Sequence, residues 1–192
     1  LKGGHTYLFG TATALYNPHG EVVGAIESIR DTTARRKAEE ALQESERRLS
    51  DIIQFFPDAV LIINREGKVT GWNRAMEELC GIKAEDIMGK GDYEYAIPFY
   101  GERRPILIDL ALKASESVEK SYVEFNRTGN LITGEAYMPN LRGGQAYLTG
   151  NATVLYNSQG EVSGAIESIR DVTDRRLTEE AAEKLARSLE KI

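Results

Sequence analysis

The stretch RGGQAYLTGNATVLYNSQGEVSGAIESIRDVTDRRLTEE, residues 142–180, decides how this chain is organised, because the chain contains it twice. Residues 2–40 read KGGHTYLFGTATALYNPHGEVVGAIESIRDTTARRKAEE. Aligned over residues 1–40 and 141–180, the two copies are identical at 27 of 40 positions. Self-similarity at a fixed spacing indicates a repeated structural unit, so the function has to be read from that unit.

Each copy contains two strand-like runs joined by a turn, and the start of a helix follows. Pro18 and Gly20 favour a turn in the first copy, and Gly160 does so in the second. An Asp-x-Thr element after the second run can cap a helix. We therefore expect a β-hairpin and then a helix in both copies. The strand-like runs are residues 7–16, 21–29, 146–156 and 161–169.

The two predicted helices each carry a weak heptad seam. Residues 33–56 form a linker helix, and residues 174–192 form an outgoing helix. Apolar or small residues recur at alternating spacings of four and three, which favours parallel pairing of two chains as a homodimer. The seams are Ala38, Leu42, Ser45, Leu49, Ile52 and Phe56, and then Thr178, Ala182, Leu185, Leu189 and Ile192.

Between the copies, the pattern alternates between strands and short helices. We expect an α+β fold, in which an antiparallel sheet is covered on one face by short helices and flanked by helical coiled-coil linkers. The predicted strands are residues 59–64, 68–72, 117–126 and 131–137. The predicted helices are residues 73–81, 83–88 and 106–114, with a loop at 92–105.

Composition excludes several classes of protein. The net charge of −6 argues against a nucleic-acid partner, which needs a basic face. No apolar run approaches the roughly 20 residues of a membrane span, so no direct membrane contact is expected. Cys80 is the one cysteine, which fits a reducing cytoplasm.

These patterns together resemble the PAS domain family. The order of elements matches, as do Gly71-Trp72-Asn73-Arg74-Ala75 after the second strand and Gly160-Glu161-Val162 before the last. The runs DVTDRR, residues 171–176, and DTTARR, residues 31–36, look like the family's exit element. The stretch 117–156 is longer than a minimal PAS ending, so an extra strand or a long hairpin is expected.

The resemblance implies a division into domains. Residues 1–32 would be the C-terminal hairpin of a preceding, truncated PAS domain, and residues 50–173 a complete PAS domain. Residues 33–56 would link them, and residues 174–192 would be a signalling helix. Neighbouring PAS and output domains, such as a histidine kinase, are expected in the parent protein. The first hairpin would compete with residues 141–170 for the sheet or swap between protomers.

The family implies sensing and relay of a signal, and the residues themselves lead us to expect no enzymatic activity in this chain. His5 and His19 are replaced by Gln145 and Gln159 in the second copy, and no nucleophile–base or metal-ligand cluster is evident. Two alternatives stay open. One is a structural dimerisation module without a ligand, and the other is a cofactor-based redox or light sensor.

The sequence argues against two kinds of cofactor site and leaves others open. Residues 50–176 contain no His, which argues against His-ligated haem there, while haem bound through Cys or Tyr stays open. Flavin photochemistry through a Cys adduct needs an Asn-Cys-Arg context, whereas Cys80 lies in Glu-Leu-Cys-Gly. A buried helix cysteine is the simpler interpretation.

Two sets of site residues are predicted. Aromatic and polar residues around the middle helices are candidates for a small-molecule pocket, with core packing as the alternative. The pocket candidates are Trp72, Asn73, Tyr93, Tyr95, Phe99 and Arg103. The predicted signal-relay residues are Asp171, Thr173 and Arg175, with Asp31, Thr33 and Arg35 in the first copy.

Overall fold

The computed structural model describes residues 5–189. The chain divides into two compact units, with the boundary between residues 51 and 52. No helix in this described stretch combines the length and apolar character that crossing a bilayer requires. Ile192, the last residue of the predicted outgoing seam, lies outside the described residues.

The first unit is a β-hairpin followed by a helix, as predicted. Strands β1 (Leu8–Tyr16) and β2 (Val22–Asp31) pair antiparallel, and α1 (Thr33–Gln54) follows. Asn17 organises the turn, since its Oδ1 accepts hydrogen bonds from the backbone N–H groups of His19 and Glu21 at 2.9 and 3.0 Å. Gly20 closes the turn with a φ of 82°, which side chains disfavour.

The second unit contains a six-stranded antiparallel sheet in the order β4-β3-β8-β7-β6-β5. Its strands are β3 (Ala59–Asn64), β4 (Val69–Trp72), β5 (Glu124–Thr128), β6 (Leu131–Leu141), β7 (Gly144–Tyr156) and β8 (Val162–Asp171). Its helices are α2 (Arg74–Cys80), α3 (Ala84–Ile87), α4 (Ile97–Tyr100), α5 (Leu107–Leu112), α6 (Glu116–Glu119) and α7 (Thr173–Leu189), with a 3₁₀ turn at Glu94–Ala96. The predicted α+β class is confirmed, and β5 provides the extra strand.

Two predictions of local structure are wrong. The strand expected at 117–126 begins only at Glu124, because Val118 turns into a second apolar cluster with Leu107 and Leu110 as part of α6. The loop expected at 92–105 contains the 3₁₀ turn and α4. Four-residue helices such as α4 are too short to show a 3.6-residue periodicity in sequence.

The core lies on one face of the sheet, where alternate residues of the central strands point at the helices. Leu61 on β3, Ala165 on β8 and Ala152 on β7 are fully buried there. Helix α5 packs across β6, β7 and β8, and α2 packs on β3. By contrast, Leu42 and Leu49 on the α1 seam are 61% and 60% exposed. The coiled-coil pairing of the linkers therefore stays a prediction.

Candidate functional site

A small cavity of about 30 Å³ lies between the helices and the sheet. The cavity has room for roughly one water molecule. Its walls come from α4, the entry to α5, and strands β6 to β8, and most of them are apolar. The cavity is lined by residues that include Phe99, Tyr100, Tyr122, Met138, Leu148 and Glu167.

Glu167 is the polar group of this cavity, and its side chain is almost completely buried. Strand alternation places it on the core face of β8 between Ala165 and Ile169. Its Oε2 accepts a hydrogen bond from the backbone N–H of Ile108 at 3.1 Å. Among the described residues, Oε1 has no hydrogen-bond donor. One carboxyl oxygen is thus available to a molecule in the cavity.

Burial, with the nearby charge of Asp109 as a smaller cause, raises the pKa of Glu167 to about 8. Desolvation also raises the pKa of Asp109 itself. Glu167 is therefore largely protonated at neutral pH. An uncharged carboxyl group can donate a hydrogen bond as well as accept one, which a carboxylate cannot do.

Two tyrosines form the half-buried mouth of the cavity. Burial raises the pKa of both Tyr100 and Tyr122, so both remain neutral phenols. The guanidinium of Arg104 lies 4.6 Å from the centre of the Tyr100 ring, and its Nη2 donates to Ser121 Oγ at 3.0 Å. Arg104 thus ties the segment after α4 to the residue that precedes Tyr122, across the mouth.

Asn73 and Trp72, two of the predicted pocket residues, are parts of the structural core. Asn73 is fully buried and caps α2, and its Oδ1 accepts hydrogen bonds from the backbone N–H groups of Val60 and Met76 at 2.8 and 2.9 Å. Its Nδ2 donates to the carbonyls of Ile53, Phe56 and Asp58. Trp72 donates its indole N–H to the carbonyl of Ile82 at 3.1 Å.

The other pocket candidates do not converge on one place. Phe99 lines the cavity, while Tyr95 is buried and donates its hydroxyl to Asp109 Oδ1 at 2.6 Å. Tyr93 is exposed and edge-on to Tyr95, and the two tyrosines both line an open surface groove of about 450 Å³. Arg103 is also exposed and pairs with Asp92 and Glu94. A ligand-binding role for these residues stays a prediction.

The predicted relay residues of the second copy lie where β8 passes into α7. Asp171 Oδ1 accepts from the backbone N–H of Thr173 at 2.8 Å and from its hydroxyl at 2.5 Å. Thr173 Oγ1 accepts from the backbone N–H of Tyr147 on β7 at 2.9 Å. The hydroxyl of Tyr147 donates to Glu180, two turns along α7, at 3.2 Å. The start of the helix is thus bonded directly to the sheet.

The same junction recurs in the first unit. Thr33 Oγ1 accepts from the backbone N–H of Tyr7 at 2.8 Å, and Asp31 Oδ1 accepts from the N–H of Thr33 at 2.8 Å. Hydrogen bonds from the side chain and then the backbone N–H of Thr33 hold the pKa of Asp31 below its ordinary value. Arg35, in contrast, forms its ion pair within the described residues with Glu39, on the exposed helix surface.

The closest ion pair at the junction belongs to Arg176, the neighbour of the predicted relay residue Arg175, whose relay role stays a prediction. Arg175 is 4.0 Å from Glu135, whereas Arg176 donates from Nε to the same carboxylate in a short hydrogen bond and pairs with Glu124 at 3.0 Å. Glu167 was missed by sequence reasoning. Its signal was present in Ala165-Ile166-Glu167-Ser168-Ile169, where alternation places a glutamate on the apolar face.

Cys80 is buried in α2, as the sequence suggested, and desolvation raises the pKa of its thiol. Such a thiol is a poor nucleophile because little of it is ionised at neutral pH. Within the described residues, no cluster of His, Cys, Asp and Glu has the arrangement of a metal site.

Comparisons with known proteins agree with this architecture. The PAS domain of BvgS from Bordetella pertussis superposes with a TM-score of 0.50 at 19% identity, over 76% of this chain and 98% of that one. An RNA-binding light-oxygen-voltage receptor gives a TM-score of 0.53 at 17% identity, over 97% of this chain and 44% of that one. A PAS domain from Colwellia psychrerythraea gives 0.47 at 17% identity, over 67% and 97% of the two chains.

At these identities, the two likenesses with TM-scores of 0.50 and 0.53 show the fold alone. No curated protein matches the chain. The family described as the PAS fold matches residues 47–172, which is most of the sequence and spans the sheet, the covering helices and the cavity. The chain therefore belongs to the PAS family.

Proposed function

We propose that the second unit is a non-enzymatic sensor in which a small molecule binds beside Glu167, and β8 passes the change to α7. The chain carries a PAS domain, generally a signal-sensing module. The observation that supports this route is continuity along one strand. Glu167 faces the cavity, and Asp171 follows it by four positions at the junction with the helix.

The chemistry of the cavity favours an uncharged ligand with an apolar body and one hydrogen-bond acceptor. A protonated Glu167 can donate to such an acceptor, while Phe99, Met138 and Leu148 surround the apolar part. An anion would be desolvated without a compensating positive charge. A ligand larger than water has to displace Tyr100 or Tyr122 outward. The exposed hydrogen bond between Arg104 and Ser121 is a weak barrier to this movement.

Relay depends on the bond between the strand and the helix. Because Thr173 accepts from the N–H of Tyr147, a change in twist between β7 and β8 alters the orientation of the first turn of α7. The hydroxyl of Tyr147 also donates to Glu180, so the same residue is bonded to α7 at its first residue and again two turns along it. A ligand that binds one twist better than the other shifts the population of helix orientations.

Acetone and acetate are suitable probes, because they have nearly the same shape and differ in charge. We expect acetone to shift methyl NMR signals of Met138 and Leu148 in the full chain with a millimolar dissociation constant, as its four heavy atoms allow only weak binding. Acetate should bind at least about tenfold more weakly. Glu167→Leu should abolish the acetone shifts. Equal binding of acetone and acetate would contradict the proposed ligand class.

Thr173→Val separates relay from binding, since it removes the acceptor for Tyr147 and keeps the shape of the side chain. Acetone should still shift the cavity methyls in this variant but no longer shift the amides of α7. Ser188→Ala is the control, because Ser188 lies outside the α7 seam and its hydroxyl donates to the carbonyl of Lys184 on the same helix. If α7 responds equally in both variants, the relay through Thr173 is wrong.

We further propose that α1 and α7 pair between two chains. The α1 seam exposes Leu42, Leu49 and Ile52, and Leu185 on α7 is also exposed. Exposed apolar residues at heptad spacing are covered when two helices pair. A dimer gives the rotated or shifted helix a partner against which to act. Neighbouring PAS and output domains, and a cytoplasmic location, complete this proposal.

Sedimentation velocity of the full chain tests the pairing. We expect a dimer for the wild type and a monomer for Leu49→Glu, since the charge would lie in the seam. Gln43→Glu adds the same charge off the seam and should leave the dimer intact. A monomeric wild type, or a dimer that survives Leu49→Glu, would refute pairing through α1.

One observation favours a second candidate, a structural dimerisation module without a ligand. The cavity measures only about 30 Å³, close to the free space of an ordinary packed core. Native mass spectrometry of the purified chain separates the two functions. A mass that disappears on denaturation supports sensing, whereas a bare dimer together with the absence of acetone binding supports the structural role.

A further inference from the structure

The β1–β2 hairpin repeats the residues that β7 and β8 bury in the second unit. Residues Leu148, Gly150, Ala152, Ala165, Glu167 and Ile169 line the core face of the β7–β8 hairpin and are buried. Their counterparts 140 positions earlier are Leu8, Gly10, Ala12, Ala25, Glu27 and Ile29. All six pairs are identical, yet all six residues of the first unit are exposed. The first hairpin thus carries a complete core face with nothing described upon it.

The second unit shows what covers such a face. Strand β3 lies antiparallel beside β8, with Ala59 opposite Ile169 and Leu61 opposite Glu167. Helix α5 packs across β7 and β8, and the N–H of Ile108 donates to the Glu167 carboxyl group. The cover therefore has three chemical features. It is a strand with small and aliphatic residues at alternate positions, an apolar helix, and a free backbone N–H at the start of that helix.

Gly24 carries an independent sign of a docked strand. At its counterpart Gly164, a Cβ atom would lie 2.1 Å from the carbonyl oxygen of Ile63 on β3, so only glycine is tolerated. At Gly24, a Cβ atom would meet only Leu15 Cδ1, at 4.0 Å. Its φ is not in the left-handed region, so the hairpin itself does not require glycine. A strand beside β2 does require it.

We propose that the β1–β2 hairpin is an interaction surface for a polypeptide segment with the chemistry of β3 and α5, which pairs antiparallel along β2 and buries Glu27. In the register of β8, the docked strand would place a small residue opposite Ile29 and an aliphatic residue opposite Glu27. The docked helix would donate a backbone N–H to Glu27, as Ile108 does to Glu167. This partner site lies outside the sensor proposed above and does not depend on it.

The partner can be supplied from the sequence itself. A full chain extended by a second copy of its residues 50–140, joined directly before Leu1, restores the 140-residue spacing ahead of the hairpin. Amide hydrogen exchange then reports on β2. We expect the amides of residues 22–31 to exchange at least about 100-fold more slowly than in the unextended chain, because a paired strand in a packed sheet opens rarely.

Gly24→Val is the decisive variant. It should leave exchange in the unextended hairpin unchanged within about twofold, since its side chain meets open space there. In the extended chain it should remove the new protection. Val23→Ser is the matched control, because Ser163 occupies the equivalent position in the second unit and is exposed; it should leave the protection intact.

Each other outcome overturns the proposal. If the amides of β2 exchange as fast in the extended as in the unextended chain, the hairpin does not bind a segment that has the proposed chemistry. The same holds if the added segment displaces β7 and β8 from β3 while β1 and β2 stay unprotected. Protection that survives Gly24→Val would show that the added segment contacts the hairpin without pairing along β2 as proposed.

Discussion

Gly150 and Glu167 occupy neighbouring strands and depend on each other. A Cβ atom at Gly150 would lie 2.6 Å from Glu167 Oε1 and 2.8 Å from Leu107 Cδ2, both far closer than van der Waals contact. The glycine therefore provides the space in which the carboxyl group is buried. The same pair recurs in the first unit, where a Cβ atom at Gly10 would lie 3.3 Å from Glu27 Oε1.

Gly150→Ala should destabilise the protein by about 1–3 kcal/mol, the usual cost of overpacking a core. The methyl group would push Glu167 and Leu107 away from their present positions. Urea unfolding of the full chain, followed by tryptophan fluorescence of Trp72, measures the change. Gly144→Ala on the same strand is the control, because its Cβ atom would meet only the Leu141 carbonyl oxygen at 3.8 Å.

The pair should also be non-additive. In a Glu167→Ala background, Gly150→Ala should cost at least about 1 kcal/mol less than in the wild type, because the carboxyl group it strikes is gone. Contact with Leu107 would remain. An identical cost in both backgrounds would mean that Glu167 is not what makes glycine necessary at this position.

Glu167 should make the stability of the protein fall as pH rises. Its pKa is raised from an ordinary value of 4.5 to about 8, so the folded state binds the proton more tightly than the unfolded state. The stabilisation is complete below about pH 4.5 and is lost progressively as pH rises to about 8. At about 1.4 kcal/mol per pH unit, the loss is at most about 5 kcal/mol.

Urea unfolding of the wild type and Glu167→Gln between pH 5 and 9 isolates this contribution. The glutamine has no proton to lose, so the variant should lack the part of the slope that Glu167 causes. The titratable groups that face Glu167 are unchanged in the comparison; they are Tyr95, Asp109, Tyr100 and Tyr122. Parallel curves for the two proteins would contradict a raised pKa.

The sequence predicts well those elements in which apolar residues recur regularly or in which turn residues mark the ends. The alternation of apolar and polar residues predicted strands β7 and β8. The repeat supported the ends of these strands, because the same pattern occurs twice in the chain. Asn73 shows the limit of such reasoning. Its position before α2 marks it as special, but only the folded chain shows that its amide satisfies carbonyls of residues 53, 56 and 58 and does not face the cavity.

The cavity was less accessible from sequence because its residues come from separate elements. Tyr100 lies in the four-residue helix α4, Tyr122 lies in the segment just before β5, and Glu167 lies on β8 near the C-terminal end of the chain. Sequence spacing carries no information on such a convergence. The glutamate was nevertheless detectable, since its alternation partners Ala165 and Ile169 are apolar.

Asn73→Ala should destabilise the second unit by about 2–4 kcal/mol. The change removes the cap of α2 and leaves the N–H of Val60 and several carbonyl groups without their partner. Thermal unfolding monitored by circular dichroism measures the effect. Asn151→Ala is the control, since Asn151 is exposed on β7 and should change stability by less than about 0.5 kcal/mol. Equal effects would show that the network of Asn73 contributes little.

Arg176→Ala tests the attachment of α7 to the sheet. Glu135 is only 6% exposed on β6, and Arg176 is its closest cation. Removing the arginine leaves a buried carboxylate facing only Arg175 at 4.0 Å, so we expect a loss of about 1–3 kcal/mol in urea unfolding. Arg187→Ala breaks an exposed pair with Glu183 on the same helix and should cost less than about 0.5 kcal/mol. Adding Glu135→Gln to Arg176→Ala should recover part of the lost stability, because the uncompensated charge of Glu135 is then removed. If the double variant recovers none of it, the packing of the arginine stem, and not its charge, holds the helix to the sheet.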